Sequence, residues 1–160
     1  MTIATGDRIP EVKLSTMTAD GPKPVSSTEA LGKGKVVLFA VPGAFTPGCS
    51  DHHLPGFLLR EDEIKAKGVD TIACIAVNDA FVMGAWRDAK DVGDKIVMLA
   101  DGSGEFAAAV GLQWDATKLG LGVRSQRYAA IIEDGVVTQL FLENGPGIEH
   151  STADKVLAAL

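Results

Sequence analysis

The chain predicts an α/β fold in which a central mixed sheet, parallel β-α-β units followed by a C-terminal antiparallel hairpin, is flanked by helices. Three observations carry this expectation. Short, continuously apolar runs each stop at turn residues, the pattern of strands covered on both faces. Helical patterns lie between those runs, as parallel strands require. Two later runs are separated only by Glu133-Asp134-Gly135, which closes a hairpin.

In chain order, the stretch before Gly34 holds one strand around Val12 to Ser15 and a loop marked by Gly21-Pro22-Lys23-Pro24. The run 35–41 ends at Pro42-Gly43 and belongs at the sheet centre; 71–77 ends at Asn78-Asp79, and 96–100 ends at Asp101-Gly102. Helices are expected over 50–67, kinked at Pro55-Gly56, over 80–89, and over 104–110 with Gly111 as the stop. The hairpin strands are 127–132 and 136–142. After a loop over 143–150, Ser151 and Asp154 resemble a capping box for a last helix carrying Val156, Leu157 and Leu160.

Nothing in the 160 residues reads as a linker, so residues 1–160 are expected to form a single domain. Fifteen Lys and Arg against 21 Asp and Glu give a net charge of −6, and no basic cluster offers a stripe for nucleic acid. The N-terminus lacks signal-peptide flanks, and no run is long and apolar enough to span a bilayer, so no membrane association and a cytoplasmic location are expected. Cys49 and Cys74 are too few for a disulfide scaffold and form no CxxC pair.

The run Pro42-Gly43-Ala44-Phe45-Thr46-Pro47-Gly48-Cys49-Ser50 puts a cysteine at a helix entrance directly after a buried strand. Ligands of wound sheets gather at the carboxyl edge of the parallel strands, which collects the loops starting at Pro42, Asn78 and Asp101. The first hairpin strand begins at that edge if it runs antiparallel, so Arg127 is expected beside Cys49. The helix entrance, the Arg127 cation and the Thr46 hydroxyl, which can donate to the sulfur or to a bound oxygen, all favour an anionic sulfur. Two prolines stiffen the loop, and the N–H of Gly48 or Cys49 is available to an anion. Such a pocket suits attack of sulfur on a peroxide oxygen, with no metal, haem or flavin required. His52 and His53, offset by three and four positions, are both expected on the cysteine's side of the helix, and Asp51 on the opposite side.

These residues resemble the peroxiredoxin family. PGAFTPGCS, the following His53-Leu54-Pro55-Gly56-Phe57, Val77-Asn78-Asp79-Ala80-Phe81-Val82 and Arg124-Ser125-Gln126-Arg127-Tyr128 are similar to the type II, peroxiredoxin-5-like branch. The resemblance implies a thioredoxin-like fold, a peroxidase for hydrogen peroxide and organic hydroperoxides, and a non-covalent homodimer. It implies Cys49 as the peroxidatic cysteine, Thr46 as the hydroxyl at the substrate oxygen, Pro42 as a shield of the cysteine and Arg127 as the active-site arginine. Arg124 and His53 stand near the site.

His150 occupies the place where animal relatives carry a resolving cysteine, so the Cys49 sulfenic acid needs an external thiol. Glutaredoxin with glutathione is the preferred reductant and thioredoxin the second; resolution by Cys74, which sits mid-strand, is a minor alternative. The adjacent histidines are not spaced for chelation, and no metal is expected. Trp86 and Trp114 read as core or interface aromatics, and Gly120-Leu121-Gly122 as a loop. A thiol-disulfide oxidoreductase is disfavoured by the missing CxxC, whereas a redox sensor or holdase signalling through oxidised Cys49 remains the alternative of a different class.

Overall fold

A computed structural model describes residues 1–145 and 147–160. Strands β1 (Lys13–Thr18), β2 (Gly21–Ser26), β3 (Lys35–Val41), β4 (Thr71–Ala76), β5 (Val97–Ala100), β8 (Tyr128–Glu133) and β9 (Val136–Leu142) form one sheet in the order β2-β1-β5-β4-β3-β8-β9. A separate two-stranded ribbon pairs β6 (Gln113–Asp115) with β7 (Val123–Ser125). Strand β4 runs parallel to β3 and to β5, while β8 is antiparallel to both β3 and β9. The mixed, thioredoxin-like sheet expected from the apolar runs is therefore present, with β3 near its middle.

The continuous apolarity of β3 follows from this position. Val37, Phe39 and Val41 face one core cluster with Phe57, Trp86 and Val156, and Val36, Leu38 and Ala40 face the other with Leu31, Phe106 and Tyr128. Helices α1 (Ser27–Leu31), α2 (Leu54–Leu59), α3 (Glu61–Ala66), α4 (Ala80–Ala89), α5 (Glu105–Ala109) and α6 (Ala153–Ala159) cover the sheet. The hairpin closes through Asp134 and Gly135 at φ of 48° and 85°, the paired positive angles of a tight turn whose twist matches the strands.

Several local expectations are corrected. Gly21 to Pro24 is edge strand β2, not a loop: Pro22 and Pro24 are two residues apart, so both missing N–H groups lie on one side of the edge and the pairing with β1 survives. The helix expected over 50–67 is three pieces, a π-helical turn over Cys49–His53, then α2 and α3, with a break at Arg60. Pro55 has no N–H and its ring opposes the carbonyl four residues back; the wider turn, in which Leu54 N–H reaches Cys49 O, makes room for it. The ribbon of β6 and β7 was not expected, its strands being too short to show a period. The last helix is capped by Thr152, which accepts from Lys155 N–H, because the Ser151 hydroxyl is already engaged with Glu143.

Candidate active site

Cys49 lies in the first turn of the helix that follows β3. Pro47 takes the opening position, where its missing N–H costs nothing, and the first intrahelical bond runs from Ser50 N to Thr46 O at 2.9 Å. The N–H groups of Gly48 and Cys49 precede that bond and have no carbonyl one turn back. Cys49 itself is buried.

Strand direction brings in the cation. Ala40 pairs with Tyr128, so the residue before β8 stands at the carboxyl end of β3. There Arg127 Nη2 donates to Cys49 Sγ at 3.2 Å, and Nη1 donates to His53 Nδ1 at 2.9 Å. His53 Nε2 donates to the Ser151 carbonyl at 2.9 Å. A carbonyl only accepts and a guanidinium only donates, so the proton is on Nε2 and the lone pair on Nδ1. The imidazole packs, tilted, against the stacked pair Phe39 and Phe57, with ring centroids at 5.1 and 5.6 Å. Burial, with Arg127 as a lesser cause, outweighs the Ser151 and Glu143 contributions and lowers the His53 pKa from 6.5 to about 4, so the ring is neutral at pH 7.

The other residues singled out in the sequence separate by position. His52 is exposed and only His53 reaches Arg127 beside the cysteine, because in the wide turn an offset of four, and not of three, comes back to the same side. Asp51 is exposed. Thr46 Oγ1 donates to Gly43 O at 2.7 Å, so its proton is not free for the sulfur, while its lone pairs remain able to accept. Pro42 enters through its carbonyl, which accepts from Arg124 Nη1 at 3.2 Å, while Arg124 Nε donates to Leu121 O at 2.8 Å and so ties β7 to the cysteine loop. A Cβ on Gly43 would lie 2.6 Å from Arg124 Nη1, so a larger residue there would displace the guanidinium from its present position.

The Asn78 loop joins the rim, its Oδ1 accepting from Ala44 N at 2.9 Å. The Asp101 carboxylate does not, being turned inward to Phe106 and Ala107 N–H at the start of α5. Trp86 is core, and its Nε1 donates to Ser50 Oγ at 2.9 Å beside the cysteine; Trp114 is partly exposed on β6. Gly120 to Gly122 is a loop after a single 3₁₀ turn. Cys74 shares the core cluster of Cys49, and burial first, then Cys49, push its thiol well above the ordinary range. His150 is exposed. Among the described residues no three His, Cys, Asp or Glu side chains gather as a metal set.

Sequence reasoning missed Glu143 and the Ser151 carbonyl. Glu143 carried a visible signal, as a lone carboxylate directly after an apolar strand; a backbone carbonyl carries none.

A family profile for Redoxin matches residues 4–157. Peroxiredoxin-2E-2, chloroplastic, of Oryza sativa subsp. japonica is 50% identical over 164 residues, covering 99% of this chain and 73% of its own. The structure of reduced Prx3 in complex with H2O2 from Vibrio vulnificus is 51% identical, with a TM-score of 0.93 and 99% of each chain covered. Peroxiredoxin 5 from Alvinella pompejana is 38% identical at a TM-score of 0.85, covering 98% of this chain and 97% of that one. The chain belongs to the peroxiredoxin family, in its type II branch. Thiol peroxidase chemistry goes with that membership.

Proposed function

We propose that Cys49 is the peroxidatic nucleophile of a peroxidase for hydrogen peroxide and organic hydroperoxides, recycled by an external thiol. The observation that carries this is the Arg127 Nη2 to Cys49 Sγ hydrogen bond at 3.2 Å, placed at a helix entrance with free N–H groups. The thiolate lone pair attacks one peroxide oxygen, the S–O bond forms as the O–O bond breaks, and the departing oxyanion takes a proton to leave as water or alcohol. Sulfur is oxidised by two electrons to sulfenic acid. Negative charge moves from sulfur to oxygen, so donors that face both stabilise the transition state most: Arg127 and the N–H groups of Gly48 and Cys49. Thr46 accepts from the peroxide O–H and orients it.

The return step requires a second thiol. Cys74 is a core residue on β4 whose burial disfavours the thiolate, and the loop before α6 offers His150 in place of a cysteine. An external thiol therefore condenses with the sulfenic acid, releasing water, and a further thiol frees Cys49 as the thiolate. Glutaredoxin with glutathione is the reductant we favour, thioredoxin the second. The two unpaired thiols suit a reducing cytosol.

The test is steady-state peroxide consumption with glutathione plus glutaredoxin in one series and thioredoxin plus its reductase in another. Turnover in the first series only is expected. Stoichiometric oxidation of Cys49 with no turnover in either would favour a redox sensor over a peroxidase.

A further inference from the structure

The hydrogen-bonded chain at Cys49 does not end at His53. Leu142 pairs with Tyr128, so the next residue of each strand also meets, and Glu143 N donates to Arg127 O at 3.3 Å. The Glu143 carboxylate turns the other way. It accepts from Glu149 N at 3.0 Å, His150 N at 2.8 Å, Ser151 N at 2.7 Å and Ser151 Oγ at 2.6 Å. This side chain is buried, with four donors converging on one oxygen of a group that has none of its own. Burial alone would raise its pKa, but those hydrogen bonds outweigh it and hold the carboxyl below its usual range.

What the clamp fixes is Ser151, held at its N–H and its hydroxyl, with the carbonyl on the other side of its Cα. Its carbonyl takes the Nε2 proton of His53, which leaves Nδ1 as the acceptor that holds Arg127 Nη1, and the planar guanidinium then has Nη2 aimed at the sulfur. Arg127 is thus held twice from Glu143, directly at its backbone and through two residues, Ser151 and His53, at its side chain. We propose that Glu143 is a positioning residue for the peroxide reaction, setting the His53 tautomer and through it the aim of Arg127 at Cys49. The proposal rests on Cys49 being the nucleophile.

The experiment compares wild type, Glu143→Ala, Glu143→Gln and Thr152→Ala. Thr152→Ala loses only the α6 cap and serves as a destabilised control outside the chain of bonds. Two quantities are read well below each variant's Tm: the stopped-flow rate of Cys49 oxidation by hydrogen peroxide, and the His53 tautomer from imidazole 15N shifts, which needs no activity. In Glu143→Ala the rate falls about tenfold or more, and His53 passes from a single Nε2–H form to a mixture. Glu143→Gln, which keeps an acceptor oxygen, recovers part of both, and Thr152→Ala keeps both at wild-type values. Wild-type rate and tautomer in a folded Glu143→Ala, or in Glu143→Gln should the alanine variant not fold, overturn the proposal. A slower rate with an unchanged tautomer overturns it too, since the route through His53 is then absent. A wild type that does not react with peroxide contradicts the peroxidase reading instead, and the tautomer alone then decides whether the clamp acts on His53.

Discussion

At the scale of single residues, His53 shows how a buried polar group can be both aligned and vulnerable. It is neutral in the fold because burial lowers its pKa from 6.5 to about 4, so between those values the unfolded chain binds a proton that the folded chain does not. Stability is therefore full above pH 6.5, falls as the pH drops through that window, and the loss from this group is complete below about 4. The shift corresponds to roughly 3 kcal/mol at most. Urea unfolding at pH 7.5, 5.5 and 4.5 should show this decline in wild type and a smaller one in His53→Gln; equal declines would contradict the assignment. The neighbourhood of Arg127 and Cys49 was legible in the sequence, since strand direction alone puts position 127 at the carboxyl end of β3. The partner of the Thr46 proton was not, because a hydroxyl between a sulfur and a carbonyl can turn to either, and only the loop conformation places Gly43 O at 2.7 Å.

At the scale of elements, the turn after β3 carries a lesson about proline. Pro55 in an ordinary α-helix would meet the Asp51 carbonyl, and the wider turn over Cys49–His53 avoids this while bringing His53 round to Arg127. A sequence pattern read at 3.6 residues per turn could not have separated His52 from His53. Elements also approach closely where α4 crosses β1. A Cβ on Gly84 would lie 2.7 Å from Met17 Cγ and 2.8 Å from Met17 Cβ. Alanine at that position gains up to about 1 kcal/mol of helix propensity, but overpacking costs about 1 to 3 kcal/mol, and Met17 Cβ is tied to the strand and cannot swing aside. Gly84→Ala should therefore lower Tm despite its better helix former. A raised Tm would mean that β1 yields easily.

At the scale of the whole molecule, several exposed apolar side chains lie on segments that adjoin the active-site loops. Phe45 is 53% exposed at a φ of 66°, an uncommon backbone for a non-glycine residue, on the loop that Asn78 Oδ1 and Arg124 hold in place. Phe81 follows Asn78, while Trp114 and Val123 lie on the ribbon that carries Arg124, with Leu119 in the turn between its strands. We propose that a second copy of the chain covers these segments, which places the dimer contact against the cysteine loop. Sedimentation should give a dimer for wild type and a shift toward monomer for Leu119→Asp, and a monomeric wild type would contradict it. The sheet was readable because buried parallel strands leave unbroken apolar runs. The ribbon and edge strand β2 were not, since three-residue strands have no period and prolines at an edge imitate a loop.

The most direct test of the central claim is a single-turnover reaction of the reduced chain with one equivalent of hydrogen peroxide, followed by mass spectrometry after dimedone trapping. The account predicts one sulfenic adduct, on Cys49, in wild type and in Cys74→Ser alike, and none in Cys49→Ser. An adduct on Cys74, or peroxide consumption that persists in Cys49→Ser, would contradict it.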